Sequence, residues 1–129
     1  MIYAVLAVKD KQAFTQLAQE LCRYPVDIHW TDTGNGVLDI LSQTIDQGKT
    51  VDLVITDDTL ADMSGRDLVE QVTMKSPMTN CAAASAFSSD QFHDAYEGLG
   101  VLMQLPLTPD AESGKKLVSV LKKLNILKS

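Results

Sequence analysis

Residues 51–65, VDLVITDDTLADMSG, hold the feature that most limits what this chain can fold into. Leu53, Val54 and Ile55 form a continuous apolar run rich in β-branched side chains and without helical period. Such a run suits a strand covered on both faces, as in a parallel sheet, and a parallel sheet needs helical crossovers on either side. Asp57 and Asp58 follow the run directly. They therefore fall at the carboxyl end of the sheet, in the crevice where open α/β folds bind ligands.

The rest of the chain supplies what that strand requires. Ile2 to Val8 reads as a buried strand, after which Phe14, Leu17, Ala18, Leu21 and Cys22 recur at helical spacing. Val26 to Trp30 reads as a second, more exposed strand, and Thr31-Asp32-Thr33-Gly34 provides turn and cap residues for a helix carrying Val37, Leu38, Ile40 and Leu41, closed by Gly48. Beyond Ser64-Gly65, a helix with Leu68, Val69 and Val72 must stop near Pro77. Asn80 to Ala86 is alanine-rich, which favours helix, but it is bounded by turn residues and has only the length of a buried strand. Ser89 or Asp90 caps a helix running through Tyr96 with Gly98 closing it, Val101 to Leu105 forms the fifth strand, and the last helix has Leu117, Val120, Leu121 and Leu124 on one face. Five strands alternating with five helices predict an α/β fold with a parallel sheet and helices on both faces, and right-handed crossovers leave few topologies.

Bulk properties narrow the function. At 129 residues the chain is expected to form a single domain over 1–129, without an output domain, and to bury its core without disulfides or a structural metal. A net charge of −6 argues against nucleic acid or an anionic membrane as the main partner. Lys115, Lys116, Lys122, Lys123 and Lys128 are expected on the solvent face of the terminal helix. Cys22 and Cys81 stand alone, with no spacing for zinc or a disulfide framework, and the opening MIYAVLAV lacks a basic flank and a cleavage site, so a reduced, cytoplasmic setting is expected.

Three strand ends offer polar groups to one crevice: Lys9 and Asp10 after the first strand, Asp57 and Asp58 after the third, and Ser85 at the fourth. Carboxylates from two strands about 4 Å apart repel by about 4 kcal/mol at an effective dielectric of 20, and a hard cation such as Mg²⁺ is the natural remedy. No His-Asp pair accompanies Ser85, which argues against a nucleophilic serine. Asp58 is expected to face solvent or a bound water, Asp62 to belong to the turn, and His93 to sit on an exposed helical face.

With these residues in place, the whole chain resembles the receiver domain of two-component response regulators, the fold of the chemotaxis switch protein, which implies a flavodoxin-like, doubly wound α/β sandwich with a five-stranded parallel sheet in the order 2-1-3-4-5. That family's acceptor aspartate is followed by Leu at the third place, Pro at the fourth, Met at the sixth and Gly at the eighth. Asp57, Leu60, Met63 and Gly65 match, and Ala61 replaces the proline. The resemblance implies that Asp57 is the phosphoacceptor, that Ser85 contacts the phosphoryl group, and that Asp10, Asp57 and the Thr59 backbone carbonyl hold Mg²⁺. It also implies a signalling module rather than an enzyme, served by a histidine kinase or phosphotransfer protein, acting on a downstream protein, as a monomer or homodimer. The fourth helix, fifth strand and terminal helix would then form the contact face.

The departures from the pattern are as informative as the matches. Lys9-Asp10 lies where the family has two acids, Leu105-Pro106 replaces its Lys-Pro step, and Leu102 stands where it has an aromatic residue. A hydrogen bond to a charged group contributes roughly 1.5–3 kcal/mol, so losing the lysine would weaken phosphoryl stabilisation by about one to two orders of magnitude. Lys9 is open to two readings: a built-in counter-ion for Asp57, or a side chain reaching out to solvent. The expectation is a degenerate receiver working through protein contacts, with a phosphorylation-competent regulator as the alternative. A flavodoxin-type redox protein is disfavoured, because Lys9-Asp10-Lys11-Gln12 has no Gly or Ser/Thr cluster to cradle a flavin phosphate.

Overall fold

The computed structural model describes residues 1–128. In chain order the elements are β1 (Ile2–Ala7), α1 (Thr15–Leu21) entered through a 3₁₀ turn at Lys11–Phe14, β2 (Val26–Thr31), α2 (Gly34–Asp46), β3 (Leu53–Thr56), α3 (Gly65–Lys75), β4 (Asn80–Ala84), α4 (Ser89–Ala95), β5 (Val101–Leu105) and α5 (Ala111–Lys123). All five strands are parallel, as the alternation of periods implies, and lie in the order β2-β1-β3-β4-β5 that the resemblance implies.

Strand alternation divides the interior into two cores. Ala4, Leu6, Leu53, Ile55, Ala82, Ala84 and Leu105 point to the layer built by α1 and α5, where Phe14, Leu17, Leu21, Leu117 and Leu121 are buried. Val5, Ala7, Val54, Cys81 and Ala83 point to the layer of α2, α3 and α4, against Val37, Leu41, Leu68, Val69, Val72 and Phe92. Both faces of β3 and of residues 81–84 in β4 are sealed, which explains why neither strand shows a polar period. The alanines of β4 follow the sheet rather than their helix propensity, because tertiary burial outweighs a preference of a few tenths of a kcal/mol per residue. Cys81 is fully buried, and desolvation pushes its thiol up to about 12, so it acts as a packing residue.

Four local expectations are corrected. β4 stops at Ala84, not Ala86, so Ser85 begins the following turn while its N–H still bonds the Leu105 carbonyl at 2.9 Å. The cap of α4 is Ser88, not Ser89 or Asp90: its hydroxyl accepts from the Gln91 N–H and the Gln91 side chain returns to the Ser88 N–H, a complete capping box. Leu124 does not join the buried face of α5. The helix ends at Lys123, Asn125 turns the chain at φ 61°, and the N–H groups of Ile126 and Leu127 fold back onto the Leu121 carbonyl. Leu127 is thereby buried and Leu124 left exposed, while Val118 rather than Val120 completes the apolar stripe. Cys22, likewise, is an exposed C-cap of α1 rather than a core residue.

This rearrangement is testable by urea unfolding. Leu127→Ala is expected to cost about 2–4 kcal/mol, as for a buried leucine, whereas Leu124→Ala is expected to stay within about 0.5 kcal/mol of the parent.

Candidate functional site

The carboxyl ends of β1, β3 and β4 meet around one buried carboxylate. β1 and β3 run in register, Ala7 beside Thr56, and the Asp57 N–H donates to the Ala7 carbonyl at 2.8 Å. That register brings the main chain just beyond β1 over the Asp57 side chain. One carboxylate oxygen, Oδ2, accepts from the Lys9 N–H at 3.3 Å, and Oδ1 accepts from the Asp58 N–H at 2.9 Å. Asp57 is only 6% exposed. Burial raises its pKa above the ordinary carboxylate value, and the two main-chain donors, with a smaller contribution from the Lys9 charge, pull it back.

The Lys9 ammonium is not on Asp57. It lies 3.8 Å from Asp58 Oδ1, with the two side chains 54% and 39% exposed, and an ion pair so open to water contributes little. Asp58 is thus partly solvent-facing, as its position after the strand implies. Lys9 serves the buried carboxylate chiefly through its backbone.

The other residues drawn to this edge by the sequence lie around it in different ways. Asp10 is exposed, and its carboxylate caps the 3₁₀ turn by accepting from the Gln12 N–H at 3.0 Å. Thr59 is exposed and bridges antiparallel to Ser64. Ser85 is buried at the end of β4, its Oγ accepting from the Phe87 N–H at 3.0 Å. Leu105 is fully buried in the α1/α5 core and Leu102 is half-buried, so β5 sends neither an ammonium nor an aromatic ring to this edge. One oxygen of Asp10 is engaged in its cap, and no group of three or more His, Cys, Asp or Glu side chains among the described residues is placed to hold a metal, so a hard cation would have to rely on Asp57, the free oxygen of Asp10 and main-chain carbonyls.

Two features of the loop after β3 explain the spacing of the sequence pattern. A Cβ on Gly65 would stand 2.1 Å from the Asp57 carbonyl oxygen, so only glycine lets α3 start this close to the strand end. Its N–H donates to the Asp58 carbonyl at 2.8 Å. Leu60 is buried in the α2/α3 core, and its N–H meets the Met63 carbonyl at 2.8 Å, which folds residues 59–64 into a tight hairpin.

Asp62 goes further than the turn expected of it. Its oxygens accept from the Gly34 and Asn35 N–H groups at 2.8 and 2.9 Å, so it caps the start of α2 from 27 to 28 residues away. The Asn35 and Gly34 hydrogen bonds hold its pKa below the ordinary value. Only the general signal of an acid near a helix start was present in the sequence, and the partner helix is not adjacent. Gln104 carried no sequence signal at all: its Nε2 donates to the Ser85 and Phe87 carbonyls at 3.3 and 2.8 Å. His93 is exposed on α4, and Trp30 lies half-buried under the Lys11 ammonium, 4.7 Å from the ring centre.

No protein-family model and no curated protein matches the sequence. Solved structures do match in shape. The chain is similar to the signal receiver domain of an HD domain-containing protein from Pseudomonas fluorescens Pf-5, with TM-score 0.76, 19% identity, and 97% of this chain and 88% of that chain covered. It is similar to a response regulator receiver domain protein from Clostridium thermocellum, with TM-score 0.75, 13% identity and 98% of each chain covered. The Mn²⁺-bound form of the response regulator Rcp1 matches at TM-score 0.73 and 13% identity, over 100% of this chain and 96% of that one. The fold is therefore that of response-regulator receiver domains, as the sequence implied. No helix among the described residues is long and apolar enough to cross a membrane.

Two pH-dependent outcomes follow from the carboxylates. Because the folded pKa of Asp57 is raised, the penalty for its charge is absent below the unfolded value of about 3.9 and grows as pH rises through the folded value. Urea midpoints of Asp57→Asn relative to the parent should therefore shift in the variant's favour between about pH 3 and pH 7. Asp62 has the opposite sign: its lowered pKa gives stability that is present above about pH 4 and lost as pH falls through the folded value. Asp62→Asn is expected to be less stable than the parent at neutral pH, with a shallower loss on acidification.

Proposed function

We propose that the chain is a receiver-like signalling domain whose Asp57 occupies the phosphoacceptor position of an incomplete site, and that it acts through protein contacts largely independently of phosphorylation. The observation that carries this reading is the manner in which the Asp57 charge is handled. Two main-chain N–H groups satisfy the carboxylate, Asp10 faces its own turn, and Leu105 is sealed in the core. Transfer of a phosphoryl group to Asp57 adds negative charge to a site already holding Asp58, and the only ammonium at hand is Lys9, exposed and engaged with that neighbour. Stabilising the transferring group calls for cations or donors aimed at its oxygens, and β5 contributes none. No step of this reading passes through a metal.

The same residues limit a switch. Without a lysine at 105 or an aromatic side chain at 102, the connection from Asp57 to α4, β5 and α5 lacks the two groups the family uses. The partners that fit are a histidine kinase or phosphotransfer protein on the input side and a downstream protein target on the output side, met on the face of α4, β5 and α5. A phosphorylation-competent regulator using Mg²⁺ is the second reading, favoured by the buried Ser85 hydroxyl at the end of β4 beside the acceptor strand.

Incubation with acetyl phosphate and Mg²⁺ followed by intact mass measurement tests the choice. The expected result is little or no adduct, and Leu105→Lys is expected to gain one. A stoichiometric phosphate adduct on the parent chain, abolished by Asp57→Ala, would overturn the reading in favour of the second.

A further inference from the structure

The turn between β4 and α4 is fastened by a side chain that neither the acid site nor the helix needs for its own packing. Gln104 lies on the edge strand β5, in register with Ala83. Its amide nitrogen donates to the carbonyls of both Ser85 and Phe87, at 3.3 and 2.8 Å. Both partners are acceptors, so the orientation of the carboxamide is fixed by chemistry: its two N–H groups, not its oxygen, must face the turn. Two further bonds hold the turn. The Ser85 N–H donates to the Leu105 carbonyl at 2.9 Å, and the Phe87 N–H donates to Ser85 Oγ at 3.0 Å. Residues 85 and 87 are thus both tied to β5, and to each other. Because Oγ accepts from Phe87, the hydroxyl proton of Ser85 remains free for another acceptor.

What lies on either side of this clamp gives it meaning. Ser88, the next residue, caps α4, and within that seven-residue helix only Phe92 is buried, stacked at 4.3 Å on Tyr96 at its C-cap. The far end of α4 is tied separately, by Arg66 Nε donating to the Ala95 carbonyl at 3.0 Å. Gln104 also lines the groove of about 470 Å³ between α4 and β5, with Phe92, Tyr96, Leu102 and Met103. Gln104 therefore both lines the groove and holds the turn that carries Ser85.

We propose that Gln104 is the positioning residue of the site: its carboxamide sets the Ser85 hydroxyl and the start of α4 together, and couples them to the α4–β5 groove. Coupling of this kind is reciprocal, so whatever draws the Gln104 amide out of the turn loosens Ser85, and whatever holds Ser85 in place holds the amide in the turn. The use made of Ser85 rests on the function proposed above, whereas the clamp itself does not.

Amide hydrogen exchange on the whole chain, followed by NMR at Phe87, tests it without any phosphoryl donor. Gln104→Leu keeps the size of the side chain and removes both donors. Losing two hydrogen bonds of ordinary net strength is expected to speed Phe87 exchange by about tenfold or more. Gln104→Lys, which returns a donor of similar reach, is expected to restore most of the protection, and a purely space-filling role would not respond in that way. Arg66→Ala, which frees the other end of α4, is expected to leave Phe87 unchanged. Unchanged exchange in Gln104→Leu, no rescue by lysine, or equal acceleration by Arg66→Ala would each overturn the clamp. The acetyl phosphate measurement reads Asp57 alone, so the two ideas can fail separately.

Discussion

The parallel register of β1 against β3 is the constraint on which the rest of the acid site depends. With Ala7 beside Thr56, the Asp57 N–H reaches the Ala7 carbonyl, and the chain leaving β1 then presents the Lys9 N–H to the Asp57 carboxylate. A slip of one residue would turn Asp57 to the other face and bring Thr56 or Asp58 to its place, since side chains alternate along a strand. The register is fixed far from the site, by the two cores that β1 and β3 fill with opposite side-chain sets. Apolar packing therefore decides where the charge sits. A buried carboxylate served by two amide donors follows from that packing, with no side-chain cation required to hold it.

The same economy extends to the loops. Three short contacts connect neighbouring loops at the carboxyl edge: Asp62 on the start of α2, Gly65 against the Asp57 carbonyl, and Gln104 on the turn after β4. Each fastens a loop by its main chain, which leaves side chains such as Asp58, Lys9 and Phe87 exposed at the surface. Loop backbone on a fixed scaffold is where α/β folds place their chemistry. Here the loops are held to the scaffold largely through their main chain.

How much of this could be read in the sequence depends on how local the cause is. The strand–helix alternation, the parallel sheet, β5 at its observed limits and the alanine strand, though read two residues too long, were all legible, because period, length and turn residues are neighbours in the chain, and the strand order followed from the family resemblance. Asp57 was legible because the apolar run ends beside it. Leu124 and Leu127 were not: helical spacing extends the stripe to Leu124, and only the reversal at Asn125 brings Leu127 under the core instead. Asp62 was visible as a turn acid but not as the cap of a helix 27 residues back, and Gln104 resembled any polar residue on an exposed strand. Their roles are set by contacts between distant segments, to which spacing is blind. Ser88 differs in kind, for the cap was expected one or two residues late in a run where Ser88, Ser89 and Asp90 can all cap.

The pattern of departures has a single physical direction. Leucine at 105 puts an apolar side chain into the α1/α5 core where a lysine would have had to cross to the acid, and it is fully buried there. Leu102 is half-buried on the same strand, and Gln104, between the two in sequence, gives its donors to the turn after β4. β5 thus fills the core and clamps its neighbour. A buried cation beside a buried acid carries a desolvation cost that must be met by good geometry, and apolar replacements are often neutral or stabilising. With the charge of Asp57 satisfied by amides, an apolar residue at 105 adds core packing without leaving that carboxylate unpaired. The amide-held carboxylate and the sealed leucine are therefore two sides of one arrangement, in which the acid is held by the register of the sheet while β5 fills the core.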